Sequence, residues 1–135
     1  RISLLQTRKE IQQKMGVAYL YITHDLALGR YFAWGQRLAV MYLGQIVEMG
    51  PAEQVLGNPH HPYTKAILAA GKIDEVDAYE LKGVEIPSFR HIPPGCSLSP
   101  RCPEAIAGLC ERITPNLLPI DDSWQVSCHL YQEQS

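Results

Sequence analysis

The apolar residues of the first 33 positions recur with helical spacing, interrupted by one strand-like run. Leu4, Arg8, Ile11 and Met15 recur at three- and four-residue spacing, and Gly16 follows in the place of a left-handed helix cap, which predicts a first helix. Residues 17–23 are rich in aromatic and β-branched side chains and predict a strand buried on both faces. Asp25 then suits the N-cap of a second helix over residues 26–33.

A hairpin and two short helices are predicted to follow. The strands are expected at residues 38–43 and 46–49 around a tight turn at Gly44 and Gln45, and the helices at residues 51–56 and 63–70. Prolines stiffen the connector between the two helices, and we interpret its His60 and His61 as structural or surface residues. The order helix, strand, helix, hairpin predicts the tail of an α/β layer.

The character of the sequence changes after residue 70. Residues 72–81 are acidic and weakly patterned, so they predict either a helix or a linker. Residues 83–135 contain seven of the ten prolines and all four cysteines, which predicts a small loop-rich unit that needs a covalent or metal staple. We therefore expect three parts, at residues 1–70, 71–82 and 83–135.

Composition narrows the possible functions. A hydrophobic fraction of 46% and a charged fraction of 19% predict an ordinary globular protein. The net charge is −2 and no Lys/Arg block stands out, so nucleic acid is not an expected partner. No apolar run approaches the roughly 20 residues that span a bilayer, so a membrane role is expected to come through partner subunits. The chain opens without Met inside a helical pattern, as a piece of a longer protein or a processed chain would.

The cysteines have the spacing C-x5-C-x7-C-x17-C, at Cys96, Cys102, Cys110 and Cys128. Four thiolates can close a tetrahedral zinc site, although the usual C-x2-C pairs are missing. They can equally hold a [4Fe–4S] cluster, for which irregular spacing is common. Two disulfides are a third option, and four ordinary buried thiols are the simplest one. The spacing alone leaves zinc and iron–sulfur equally favoured.

Four segments in order resemble the oligopeptide/dipeptide importer branch of the ABC transporter ATPases. They are YITHDL at 21–26, MYLGQIVEMGP at 41–51, NPHHPYT at 58–64, and the cysteine-containing tail at 94–129. One departure is Gln36, where the family commonly has an acidic residue. The resemblance implies an α/β fold, namely the C-terminal part of a P-loop ABC ATPase domain followed by a four-cysteine extension.

The resemblance also assigns a catalytic residue. His24 matches the family's switch histidine, which reaches the γ-phosphate of ATP and helps to orient the attacking water. A capping or hydrogen-bonded histidine at a strand–helix turn is the simpler alternative. The sequence contains no G-x-x-x-x-G-K-[ST] phosphate loop and no ABC signature, so ATP and Mg are expected in the full-length parent only. This chain alone is expected to be inactive.

For the cysteines, the resemblance favours a [4Fe–4S] cluster over zinc, with Cys96, Cys102, Cys110 and Cys128 as ligands. A reducing cytosol also disfavours disulfides. The expected cluster role is structural.

The implied function is therefore that of a C-terminal fragment of the ATP-hydrolysing subunit of a peptide importer. Expected partners are a second ATPase subunit, transmembrane permease subunits and a solute-binding protein, with possible self-association of the fragment. The expected location is the cytoplasmic side of the prokaryotic plasma membrane, as a peripheral protein. A stand-alone, non-catalytic metal-binding module for regulation or docking is the alternative.

Overall fold

The computed structural model describes residues 2–71 and 79–132. Its helices are α1 (Ile2–Met15), α2 (Leu26–Ala33), α3 (Ala52–Gly57) and α4 (Pro62–Ala70), followed near the end by a 3-10 helix at His129–Tyr131. Its strands are β1 (Arg37–Tyr42), β2 (Gln45–Pro51), β3 (Leu118–Pro119) and β4 (Gln125–Val126). The helix or linker predicted at residues 72–81 lies largely outside the described residues.

The first two helices confirm their predictions. Helix α1 ends at Met15, and Gly16 follows with φ +64°, the left-handed conformation that glycine adopts without strain. Helix α2 begins after Asp25, whose Oδ1 accepts hydrogen bonds from the amides of Ala27 (2.9 Å) and Leu28 (3.2 Å). This side chain satisfies amides that have no partner within the helix.

The strand predicted at residues 17–23 is wrong for this structure. The segment runs between α1 and α2 without strand pairing, and Leu20 and Ile22 are 89% and 82% exposed. A strand buried on both faces needs a hydrogen-bonding neighbour and covering layers. Within residues 2–71 and 79–132, no strand lies beside this segment to supply them.

The hairpin is confirmed, with a turn one residue earlier than predicted. Tyr42 pairs with Gln45, so Leu43 and Gly44 form the two-residue loop. Both have positive φ, 46° and 78°, as a type I′ hairpin turn requires. A register irregularity between Val40 and Met41 interrupts the ladder.

The two short helices are also confirmed, with small shifts at their starts. Pro51 is the N-cap of α3 rather than its first residue. Helix α4 begins at Pro62, which suits the first helical position because proline has no amide hydrogen to leave unpaired. His61 is its N-cap, and the ring Nδ1 accepts a hydrogen bond from the amide of Tyr63 at 3.1 Å.

The tail of the chain joins the hairpin in one antiparallel sheet with the order β1-β2-β4-β3. Both pairings of β4, with β2 and with β3, are antiparallel. The core that results contains side chains from both parts of the sequence: Val40, Tyr42, Val47, Val55, Leu98, Cys102, Trp124, Val126 and Cys128. The architecture is thus a mixture of helices and antiparallel sheet. The three-part division at residues 70 and 82 stays a prediction.

In the part of the chain that the structure describes, no helix combines the length and the apolar character needed to cross a membrane.

Candidate functional site

The loop that contains three of the cysteines begins at a glycine with no room for a side chain. Gly95 has φ +73°, and a Cβ atom there would lie 2.3 Å from the carbonyl oxygen of Cys110. The next amide, that of Cys96, donates a hydrogen bond to this same oxygen at 2.8 Å. Gly95 therefore allows the two ends of the loop to meet, and it brings Cys96 to Cys110.

Tight backbone turns fix the positions of Cys102 and Cys110 within the loop. The amide of Cys102 donates to the carbonyl of Leu98 at 2.9 Å, and the amide of Cys110 donates to that of Ile106 at 3.0 Å. Leu98 is fully buried in the core. Its burial anchors the turn that carries Cys102.

The fourth cysteine follows strand β4. The amide of Ser127 donates to the carbonyl of Val47 on β2 at 2.8 Å, and its hydroxyl donates to the carbonyl of Pro115 at 2.9 Å. These bonds hold the backbone directly before Cys128. The described residues thus bring together four cysteines that are up to 32 positions apart, 128 − 96.

Burial makes three of these thiols, those of Cys96, Cys102 and Cys128, hard to ionise. Cys102, Cys110 and Cys128 are buried, and Cys96 is half-buried. Burial raises the pKa of Cys96 and of Cys102, and it raises the pKa of Cys128 to about 12. The neighbouring cysteines raise these pKa values further, so all four lie within electrostatic range of one another.

Backbone amides point at the sulfur atoms and oppose this effect. The amide of Ile106 donates to Cys110 Sγ at 3.3 Å. Backbone amides also lower the pKa of the other three thiols, those of Leu98 and Ser99 for Cys96, that of Glu104 for Cys102 and that of Leu130 for Cys128, against the larger effect of burial. Such donors favour the thiolate form, the form that binds metal.

The chemistry of this donor set fits a thiolate-bound metal or iron–sulfur cluster, because four sulfurs with amide donors share one region. A closed coordination geometry is not formed. Across residues 2–71 and 79–132, no group of three or more His, Cys, Asp or Glu side chains is placed to hold a metal ion. The four thiols are free rather than paired in disulfides. Their role as ligands stays a prediction.

His24 lies in the bend before α2, exposed to solvent. Its neighbours are fixed: the amide of Asp25 donates to Thr23 Oγ1 at 2.9 Å, and Asp25 caps α2. The imidazole is therefore presented next to a helix N-terminus by a well-defined turn. The phosphate-sensing role of His24 stays a prediction.

A buried carboxylate, which was not predicted from the sequence, lies on strand β2. Glu48 on β2 is 0% exposed, and its carboxylate accepts hydrogen bonds from the amides of His60 (2.9 Å) and His61 (3.0 Å) and from Trp124 Nε1 (3.0 Å). A buried carboxylate without such donors would be strongly destabilising, whereas each donor to a charged group contributes roughly 1.5–3 kcal/mol. We name this arrangement of Glu48, His60, His61 and Trp124 the Glu48 node.

The structural interpretation of the two histidines agrees with this geometry. His61 is buried, and desolvation lowers the pKa of its imidazole to about 4, so the ring is neutral at pH 7. The His60 ring packs edge-on against Trp124, with centroids 4.2 Å apart, and its Nδ1 lies 3.9 Å from Glu48 Oε1. The acidic residue inside the apolar run of β2 was the available signal for the node, but the sequence does not show which segment would cover it.

Comparison with known proteins identifies the family. Residues 47–110 match the profile described as the oligopeptide/dipeptide transporter, C-terminal region. The matched segment begins in β2 and ends at Cys110, so it includes Glu48, the two histidines and three of the four cysteines.

Curated relatives extend the match over most of the chain. The sequence is 38% identical over 130 residues to the probable peptide ABC transporter ATP-binding protein y4tS of Sinorhizobium fredii, covering 94% of this chain and 36% of the relative. It is 37% identical over 121 residues to the dipeptide transport ATP-binding protein DppF of Escherichia coli (87% and 35% covered). It is also 37% identical over 136 residues to the oligopeptide transport ATP-binding protein AppD of Bacillus subtilis (97% and 40% covered).

The chain is therefore homologous to peptide ABC transporter ATP-binding proteins, as its motifs suggested. Its mixed helix and antiparallel-sheet fold is consistent with the C-terminal part of an ABC ATPase domain. The chain spans 35–40% of the length of these three relatives.

Proposed function

We propose that this chain is the C-terminal portion of the ATP-hydrolysing subunit of an importer for oligopeptides or dipeptides. The observation that carries the proposal is the match over nearly the whole chain to ATP-binding proteins of peptide transporters. Nucleotide binding in the parent needs a phosphate loop, which this sequence does not contain. The chain alone therefore should not turn over ATP.

The contribution of this chain to catalysis is the His24 imidazole. Phosphoryl transfer depends on positioning and charge stabilisation rather than on covalent chemistry. An exposed imidazole held in a defined turn before α2 is suited to donate a hydrogen bond to a γ-phosphate and to orient water. The capping contacts of Asp25 would keep that turn in place.

Replacing His24 with Ala in the full-length subunit tests this role. ATP turnover should fall by roughly 100-fold or more, the typical effect of removing one preorganised transition-state donor. Nucleotide affinity should stay unchanged, because other segments of the parent bind the nucleotide. His91→Ala, at another exposed histidine, is the matched control and should leave turnover intact. Unchanged turnover in His24→Ala would refute the proposed role.

The tail is proposed to bind a [4Fe–4S] cluster through Cys96, Cys102, Cys110 and Cys128, with zinc as the alternative. Support comes from the four-thiol donor set and from the amides directed at the sulfurs. When bound, either group would supply a cross-link between the loop and the end of β4. Such a staple suits a segment with few large buried apolar side chains of its own.

Metal analysis of protein purified without oxygen tests whether the four cysteines of the tail bind an iron–sulfur cluster or zinc. The cluster predicts broad visible absorbance and about four iron atoms per chain, both reduced in Cys128→Ser. The opposing result is about one zinc per chain with no visible absorbance, which would replace the cluster with the zinc alternative.

In the parent importer, we propose a second ATPase subunit, transmembrane permease subunits and a solute-binding protein as partners. The subunit would work at the cytoplasmic face of the membrane, bound peripherally through the permease. These assignments rest on what the relatives' names say of them, as ATP-binding proteins of peptide transport.

A further inference from the structure

The position of Cys128 depends on a very short strand. Strand β4 contains only Gln125 and Val126, which pair with Met49 and Glu48 of β2. Cys128 follows Val126 by two residues. Two residue pairs make a weak ladder, because most strands in stable sheets are several residues longer. Besides the pairing with β3 and the two Ser127 hydrogen bonds, side-chain contacts help to hold β4 in its register.

The residue directly before β4 provides such contacts. Trp124 is buried, and its indole Nε1 donates to Glu48 Oε1 at 3.0 Å. Its ring lies against Gly50 of β2, where a Cβ atom would come within 2.9 Å of Trp124 Cδ1. The amide of Ile120 donates to the Trp124 carbonyl at 2.8 Å and closes the turn from β3. Trp124 is thus fixed on three sides.

The proline-rich connector supplies the other two hydrogen bonds to the Glu48 carboxylate. Oε1 also accepts from the His60 amide, and Oε2 accepts from the His61 amide. Tyr131, three residues after Cys128, donates from its hydroxyl to the His60 carbonyl at 3.0 Å. The connector therefore contacts the chain on both sides of Cys128, once through Glu48 and once directly.

We propose that Glu48 is a positioning residue for the cysteine site. Acting through Trp124, its carboxylate fixes the register of β4 and thereby places Cys128 in the same core cluster as Cys102, against which Cys96 packs. The consequence for a bound metal or cluster rests on the proposed function. The proposed placement of Cys128 is independent of that function.

Thiol alkylation of the full, metal-free, reduced chain measures this placement directly. Native protein is treated with iodoacetamide, and mass spectrometry gives the rate at each cysteine. Glu48→Leu removes the acceptor of all three donors with a side chain of similar length, and Trp124→Phe removes the indole donor while keeping an aromatic ring. Both should speed alkylation of Cys128 relative to Cys102 by roughly tenfold, the effect of losing one hydrogen bond to a charged group on a local opening equilibrium.

A second comparison separates positioning from general stability. Val55→Ala creates a cavity in the core next to α3. The Val55 side chain is buried and purely hydrocarbon, so the substitution removes no hydrogen bond to the tail. This variant should speed alkylation of all the buried cysteines alike. If Glu48→Leu and Trp124→Phe gave that same uniform pattern, or left Cys128 unchanged, the proposal would be overturned. If Glu48→Leu does not fold, the result for Trp124→Phe alone decides between these outcomes.

The double variant provides an internal check. Because both substitutions break the same contact, Glu48→Leu combined with Trp124→Phe should expose Cys128 little more than Glu48→Leu alone. Multiplied effects would show that the two side chains act separately, against the proposal. Since the rates are measured without metal, failure of the cluster proposal would not alter them. Faster release of bound metal from Trp124→Phe than from Val55→Ala would then extend the role to the loaded site.

Discussion

Glu48 shows that a buried polar residue on a strand can determine the structural role of a motif in another segment of the chain. The segment that contains His60 and His61 is recognisable from the sequence, and its prolines explain its stiffness. The structural role of this segment becomes apparent only when Glu48 lies beside it, because the backbone amides of His60 and His61 donate hydrogen bonds to the Glu48 carboxylate. Trp124, the third donor, lies 76 positions away from Glu48 in the chain. No local pattern predicts such a contact.

At the same scale, His61 should make stability depend on pH. Its pKa is lowered from 6.5 to about 4 by burial, so the unfolded chain binds the proton more tightly than the folded one. Above the unfolded pKa of 6.5 this group leaves stability unchanged, and stability then falls progressively as the pH decreases towards the folded pKa of about 4. Between pH 7.5 and pH 5, this group alone should remove about 2 kcal/mol from the free energy of unfolding.

Urea unfolding of the metal-free, reduced chain at these two pH values measures the loss. His61→Asn is the matched variant, because its side-chain oxygen can still accept the hydrogen bond from the Tyr63 amide at the start of α4. Its free energy of unfolding should vary less with pH by about the same 2 kcal/mol. An equal pH dependence in both proteins would contradict the assignment of this effect to His61.

At the scale of elements, locally encoded structure was predictable from the sequence and structure made by distant segments was not. Helix α2 and the β1–β2 hairpin depend on a cap and a turn within a few residues of each element, and both were predicted. Residues 17–23 have strand composition, but a strand also needs a neighbour, and none lies beside them in the described part of the chain. Strands β3 and β4 are too short to carry a pattern: β4 forms by pairing with β2, and β3 forms by pairing with β4.

The same distinction applies to the candidate site. Spacing and resemblance selected Cys96, Cys102, Cys110 and Cys128, and the structure brings these four thiols into one region. The sequence does not show that Gly95 permits the contact between Cys96 and Cys110, since this depends on a backbone approach across the loop. The sequence also does not show how Cys128 is positioned, because the residues of the Glu48 node come from three separate segments of the chain.

At the scale of the whole molecule, the cysteine tail is joined to the hairpin by a common sheet and a common core. The family match begins within β2 and continues through the connector into the cysteine loop, across these joined parts. This continuity favours a tail that works as part of the ATP-binding subunit rather than as an independent module. We therefore propose that this chain can serve as the corresponding segment of a peptide-importer ATPase.

Dipeptide uptake by a chimeric transporter tests that claim most directly. This chain replaces the matching segment of the Escherichia coli protein DppF, in cells that lack the native subunit but keep the other transporter components. We predict that the chimera restores uptake of a labelled dipeptide and that His24→Ala in the chimera abolishes it. A chimera that accumulates, folds and binds ATP normally, yet hydrolyses no ATP and supports no uptake, would contradict the account.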